Sequence, residues 1–373
     1  MLTLTKLSIS LLIFAAVFDP VGFFYIRYVV LSIAIINVAL LLLTKKILVE
    51  KIVFVFIFLL LINIYGFFLW YLNDGHTLFI DTSYLGAGII SITTFLTYNK
   101  ETLLYAKRNF IFASKALSTV ILITYVIISS NDFLEYFFEG AGIAVIGQRT
   151  YSGFSIPYIY FVASPILSIG MVLEVFKKNR SILTIILISI GLFLTGTRMA
   201  WLILSIILSI LIFISSKNFL EGFFKLLFIP LFALILIIGN ESFANSLFAL
   251  LDANDVSNSV KYSYLKIYAE IFSNTNFLLF GQGFNAHEWN MLTRDLIFEG
   301  ASRTELTYFE LIRVFGIPFG VFIISYLLYI ASRMDNDTKI ATIIILFQSF
   351  LNPYLFSSNG MLAIGLFNKF KSK

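Results

Sequence analysis

Apolar runs of bilayer-crossing length recur from one end of the chain to the other, separated by short polar segments. A hydrocarbon core takes roughly 20 residues of α-helix, with a range of about 17–25. On that rule the pattern predicts twelve spans, near 7–18, 28–43, 52–72, 84–98, 110–130, 157–176, 181–195, 199–215, 226–240, 306–331, 340–355 and 358–368. The first, fourth, seventh and last are short for a crossing. Asp19-Pro20 stops the first early enough for a re-entrant or interfacial piece. The longest stretch without a span, 241–305, precedes the last three runs. Inside it, KYSYLKIYAEIFS (261–273) has helical periodicity. Tyr264, Leu265, Tyr268, Ile271 and Phe272 fall on one face, and Ser263, Lys266, Glu270 and Ser273 on the other. Such a helix lies across the mouth of a bundle or at the lipid interface. The predicted fold is all-α: a polytopic transmembrane helix bundle forming a single integral-membrane domain over 1–373, with one large, partly helical loop at 241–305.

Composition agrees with that pattern. The 373 residues are 59% hydrophobic and 13% charged, with a mean hydropathy of +0.94. A soluble domain has about 25% charged residues. No cysteine is present, which excludes disulfide and thiolate chemistry, and two histidines are too few for a histidine-built metal site. No small-residue cleavage site follows the first apolar run, so no cleavable signal peptide is expected. The net charge of +5 is mostly a topology signal. With both termini in the cytoplasm, the inner segments carry most of the 26 basic residues, from Lys6 and Lys45 to Lys177, Arg333 and Lys369. The outer segments carry Arg27, Arg149, Arg198, Lys261, Lys266, Arg294 and Arg303. Such a bias is the usual determinant of orientation.

Against that bias, a few outer arginines stand out. Arg149 lies in IGQRTYSGF (146–154), read as an outer loop, and Arg198 in LTGTRMAW (194–201), a tight turn between two spans. In SRTELTYFELIRVFG (302–316), Arg303, Leu306, Glu310 and Arg313 share one helical stripe. Arg313 sits about two turns into an apolar span, where a charge must face the bundle or a wet cavity. Two readings of Glu310 and Arg313 are open: an intrahelical ion pair at i, i+3, or part of a polar site. Guanidinium forks match phosphate oxygens bidentately, so converging outer arginines suggest an anion such as a lipid diphosphate.

Three runs, GTR (196–198), GQGFNAHEW (281–289) and TELTYFELIRVFG (304–316), together resemble O-antigen polymerases, within the wider group that includes O-antigen ligases. The overall plan is similar as well, including a large loop before the last spans and an early FDP break at 18–20. The resemblance implies a metal-independent, integral-membrane glycosyltransferase of the helical GT-C type, without cofactor. Its substrate would be an undecaprenyl-diphosphate-linked oligosaccharide, used at the periplasmic face of the bacterial inner membrane. Its partners would be membrane lipid and a chain-length regulator protein, with no nucleic acid. The family's diphosphate-holding arginines carry over to Arg198 and Arg303, then Arg149 and Arg313, with Glu310 beside them. Ligases place a histidine where this chain has Thr304-Glu305, which favours a polymerase. Glu305 is the first candidate for the base that takes the acceptor proton, and His287 the second. The plainer roles are a carboxylate at a helix N-terminus for Glu305 and a surface imidazole for His287. A ligase or a carrier of lipid-linked sugars are the competing functions. A carrier would spread its intramembrane charges over both halves, whereas here they gather after residue 140.

The charge distribution predicts a testable orientation. A reporter active only outside the cytoplasm, fused after Ser273, is expected to be active, and the same reporter fused at Lys373 silent. The reverse pattern would invert the topology.

Overall fold

The computed structural model describes residues 1–45, 48–73, 82–128, 132–151, 154–223, 225–226, 256–293 and 304–368. The expected span at 226–240 falls almost wholly outside them. Among the described residues, five helices are long and apolar enough to cross a membrane: Ile26–Thr44, Val49–Leu72, Lys100–Ile127, Arg198–Ser215 and Thr307–Arg333. Five shorter apolar helices accompany them. One of these, Ser358–Phe367, is buried from Asn359 to its end. Ten residues rise about 15 Å, half a hydrocarbon core, so this run serves as a core helix and meets protein rather than lipid.

The chain folds as two compact units, Met1–Ala113 with Val260–Lys373, and Ser114–Ser259. In the second unit the structure departs from the all-α expectation. Residues Ala144–Tyr151 (β1) and Phe154–Phe161 (β2) form an antiparallel hairpin, in register from Ala144 opposite Phe161 to Tyr151 opposite Phe154. Residues 146–151 and 154, expected in an outer loop, are therefore strand, and the helix expected to start at 157 starts at Ile166. The sequence is suited to this: a Ser-Gly pair separates two runs rich in β-branched and aromatic residues. Pro157 is tolerated because both strands of a two-stranded sheet are edges.

The helices Ile182–Leu194 (α1) and Arg198–Ser215 (α2) of that unit are joined by the three-residue turn Thr195, Gly196, Thr197. Gly196 takes the left-handed backbone that ends α1, at φ +63°. A Cβ there would lie 2.3 Å from the Cβ of Tyr158 on β2. Thr197 caps α2 by accepting the Ala200 N–H at 3.2 Å, and Arg198 is the first helical residue. Trp201 closes the turn by stacking on Phe193 and donating its indole N–H to the Phe193 carbonyl at 2.9 Å.

The first unit is organised around a break in the helix Thr307–Arg333 (α3). Gly316 is non-helical, with φ 75° and ψ 165°, and Pro318 follows. In an unbroken helix the Val314 carbonyl would accept from residue 318, which as proline has no N–H. The loop Gly281–Phe284 supplies the missing donors. Gln282 N–H reaches the Arg313 carbonyl at 2.7 Å, and Gly283 N–H reaches that of Val314 at 3.0 Å. The approach leaves no room for side chains: a Cβ on Gly281 would sit 2.4 Å from the Val314 oxygen, and one on Gly316 2.2 Å from the Leu279 oxygen. Gly281 and Gly316 also hold positive φ. Phe284 then lies against Gly66 and among Tyr84 and Phe315.

Gly281→Ala and Gly316→Ala are each expected to lower thermal stability in detergent, by about 1–3 kcal/mol for the backbone strain alone. Gly86→Ala, on a helix with nothing within 4 Å of the added carbon, should leave stability unchanged or raise it by about 1 kcal/mol. Equal melting curves for all three variants would remove the proposed pairing between loop and kink.

Candidate functional site

The amphipathic helix expected at 261–273 is present as Val256–Ser273 (α4). Its buried face is Tyr264, Ile267, Tyr268 and Ile271, at the spacing of a helical stripe. Leu265, expected on that face, points outward, and Ile267 takes its place. The stripe packs on Ala286, Trp289 and Leu306, with Phe272 and Phe309 at its margin. Tyr268 stacks on Trp289 and Phe309 at ring-centroid distances of 5.4 and 5.5 Å.

Against this aromatic wall lie the charges of α3. Arg313 is 1% exposed and Glu310 2%. Arg313 Nε donates to Glu310 Oε2 at 2.9 Å, and Arg313 Nη2 donates to Glu310 Oε1. The intrahelical pair read from the sequence exists, but it is not alone. The guanidinium lies 4.4 Å from the Trp289 ring centroid, and Tyr268 Oη donates to Glu310 Oε2 at 2.9 Å. Tyr268 Oη is also 2.5 Å from Thr304 Oγ1, which accepts the Leu306 N–H at 3.1 Å. Arg313 Nη1 is buried without a hydrogen-bond partner. Glu310, Thr304, Thr307, Tyr84, Pro353 and Phe356 line a small, partly open cleft. Burial, reinforced by the Glu310 charge, holds the Tyr268 hydroxyl well above the ordinary tyrosine pKa. Tyr264 is raised for the same reason, with Glu305 and Glu310 adding to it.

The other candidates divide by location. Glu305 lies in the same unit, with its side chain 55% exposed and Oε2 3.5 Å from Lys261 Nζ. Solvent screens such a pair, so it leaves the carboxylate available. His287 is exposed at the start of the short helix His287–Thr293. Arg303 lies outside the described residues. The helix begins at Thr307, so the expected stripe is helical only from Glu310 to Arg313. Arg149 lies on β1 opposite Ile156, its side chain outside the description, and Arg198 is partly buried at the first turn of α2, in the second unit. Sequence reasoning missed the roles of Tyr268, Thr304 and Trp289. Tyr268 and Thr304 stand in runs already singled out, yet nothing in periodicity says that a buried tyrosine meets a carboxylate 42 residues away. No group of three or more potential metal ligands occurs among the described residues.

No family model and no solved structure matches the chain. An O-antigen polymerase of Shigella flexneri is 25% identical over 368 residues, covering 93% of this chain and 88% of that protein. The chain resembles an O-antigen polymerase along nearly its whole length. That similarity supports the family first read from the GTR, GQGFNAHEW and TELTYFELIRVFG runs. Together with the apolar helices, it describes a multi-pass membrane protein of polysaccharide biosynthesis.

The buried pair makes its own prediction for this polymerase-like chain. Glu310→Ala and Arg313→Ala each strand a buried charge, at a cost of about 3–5 kcal/mol. The double variant should be no less stable than either single one, a non-additivity read from a melting cycle in detergent. Additive losses would mean that the two side chains do not act as a pair.

Proposed function

We propose that this chain is an O-antigen polymerase that transfers a growing glycan from undecaprenyl diphosphate to the non-reducing end of a lipid-linked repeat unit. The observation that carries the reading is the full-length similarity to a protein of that name. The chain would lie in the bacterial inner membrane with both termini cytoplasmic, and the loop 241–305 and active face periplasmic, in keeping with the lysine and arginine distribution.

In the reaction, a base removes the proton of the acceptor hydroxyl, and that oxygen attacks the anomeric carbon. The bond from this carbon to the diphosphate oxygen breaks, and undecaprenyl diphosphate leaves. Glu305 is proposed as the base, and its exposed carboxylate is open to an incoming acceptor. His287 is the second choice, also exposed. Arg198, Arg303 and Arg149 are proposed to neutralise the departing diphosphate, which guanidinium groups do without a metal. For Arg198 there is a physical argument. A cation in the first turn of a helix opposes the helix dipole, so its presence there is not explained by helix stability. The same N-terminus favours an anion. Arg313 commits two donors to Glu310. Its contribution is therefore a fixed positive charge beside the cleft, with Glu310 positioned to accept glycan hydroxyls. A chain-length regulator is the protein partner that the reading implies.

Arg198→Ala and Arg303→Ala are each expected to abolish polymer while the protein stays in the membrane, and lysine is expected to rescue poorly because it lacks the fork. Cells would carry lipid A-core capped by a single repeat unit. Glu305→Gln is expected to stop turnover of purified protein on a lipid-linked repeat unit while diphosphate binding survives. Normal polymer ladders in both arginine variants would sink the diphosphate role, and full activity of Glu305→Gln would move the base to His287.

A further inference from the structure

Around Glu310 the hydrogen bonds run in one direction. Glu310 faces Arg313 as a carboxylate and can only accept. Tyr268 has a single proton, and burial keeps it on the oxygen. It is therefore donated to Glu310 Oε2, 2.9 Å away. Tyr268 Oη must in turn accept, and Thr304 Oγ1 at 2.5 Å is the donor. Thr304 then accepts from the Leu306 N–H at 3.1 Å. The chain Leu306, Thr304, Tyr268, Glu310 is thus polarised toward the carboxylate, and each bond strengthens the next. Both partners of its last bond are anchored: the Tyr268 ring stacks on Trp289 and Phe309, and Glu310 is held by Arg313. Thr304 and Glu310 both face the cleft, whereas Tyr268 is not among its lining residues.

We infer that Tyr268 is a positioning residue for the transfer reaction: its hydroxyl aligns Glu310 and Thr304 where they line the cleft, so that both meet the hydroxyls of a sugar unit in one fixed orientation. This inference rests on the polymerase reading and goes beyond it, since Tyr268 lies on a loop helix whose apolar face needs only the ring. Packing requires a tyrosine-sized aromatic residue at 268. It does not require the oxygen.

The test is steady-state polymerisation of a lipid-linked repeat unit by purified full-length protein, with melting curves recorded for each variant. Tyr268→Phe keeps the stacking and removes only the hydroxyl. It is expected to melt close to wild type and to hold KM within about twofold, while kcat falls by about tenfold, the scale of one hydrogen bond to a charged group. Thr304→Val should fall in the same direction, Thr304→Ser should restore the rate to within about twofold, and Tyr268→Phe with Thr304→Val should lose less than the product of the two single losses. Unchanged kcat in Tyr268→Phe beside an active wild type overturns the inference, as does a loss that only follows the folded fraction. Should Tyr268→Phe fail to fold, the threonine pair decides: equal rates for Thr304→Val and Thr304→Ser refute the inference, and serine rescue supports it. A folded wild-type protein that forms no polymer would instead overturn the polymerase reading, and this assignment with it.

Discussion

Two backbone hydrogen bonds, from Gln282 N–H to the Arg313 carbonyl and from Gly283 N–H to the Val314 carbonyl, hold the first unit in its working shape. They exist because α3 breaks at Gly316 and Pro318, where the helix can no longer satisfy its own carbonyls. In an apolar environment such groups cannot be left to lipid, so irregular backbone at depth must find partners within the protein. The GQG loop is that partner. Glycines at 281 and 283 let its backbone approach, and Tyr65 Oη on the helix Val49–Leu72 and Asn73 Nδ2 at its C-cap donate to the Phe280 and Gln282 carbonyls. The residues whose carbonyls are captured include Arg313 itself. The same contact that repairs the kink therefore fixes where the buried guanidinium starts from.

From that point the charges are arranged by what surrounds them. An arginine within an apolar helix is stable only if its charge is matched and its donors are mostly used. Glu310 provides the match one turn away, and Trp289 covers the guanidinium face. Tyr268 completes the carboxylate's coordination from the loop side, and Thr304 in turn bonds the Tyr268 hydroxyl. The polar network thereby ties α4, which on its own is a surface helix with one apolar face, to a membrane-crossing helix. An apolar contact could hold the two together, but only directional bonds set the rotation of a carboxylate at the edge of a cleft.

The second unit uses different means for a similar end. Its GTR turn is fixed by a left-handed glycine, a threonine cap and the Trp201–Phe193 clasp, and its hairpin presses Tyr158 on Gly196. The first three act over a few residues, and the Tyr158–Gly196 contact adds one longer-range stop. Arg198 consequently has a defined start on α2.

The sequence by itself determined the membrane class, the long apolar helices and the amphipathic helix in the large loop, and it offered the i, i+3 pairing of Glu310 with Arg313 as one of two readings. These follow from short-range periodicity and from the cost of placing polar groups in hydrocarbon, both of which act within one segment. It also held, unread, the Ser-Gly signal of the hairpin, because the apolar run of β2 merges with the helix after it and length alone cannot separate a strand from half a span. Only the tertiary structure decided that Ile267 rather than Leu265 faces inward, that Ser358–Phe367 is a core helix, and that the GQG loop fills the break at Gly316. Only it, too, brought Tyr268 to Glu310 and Thr304 to Tyr268. Those outcomes depend on which surfaces meet across tens to hundreds of residues, and a buried hydroxyl finds its carboxylate through the packing of the whole unit rather than through spacing along the chain.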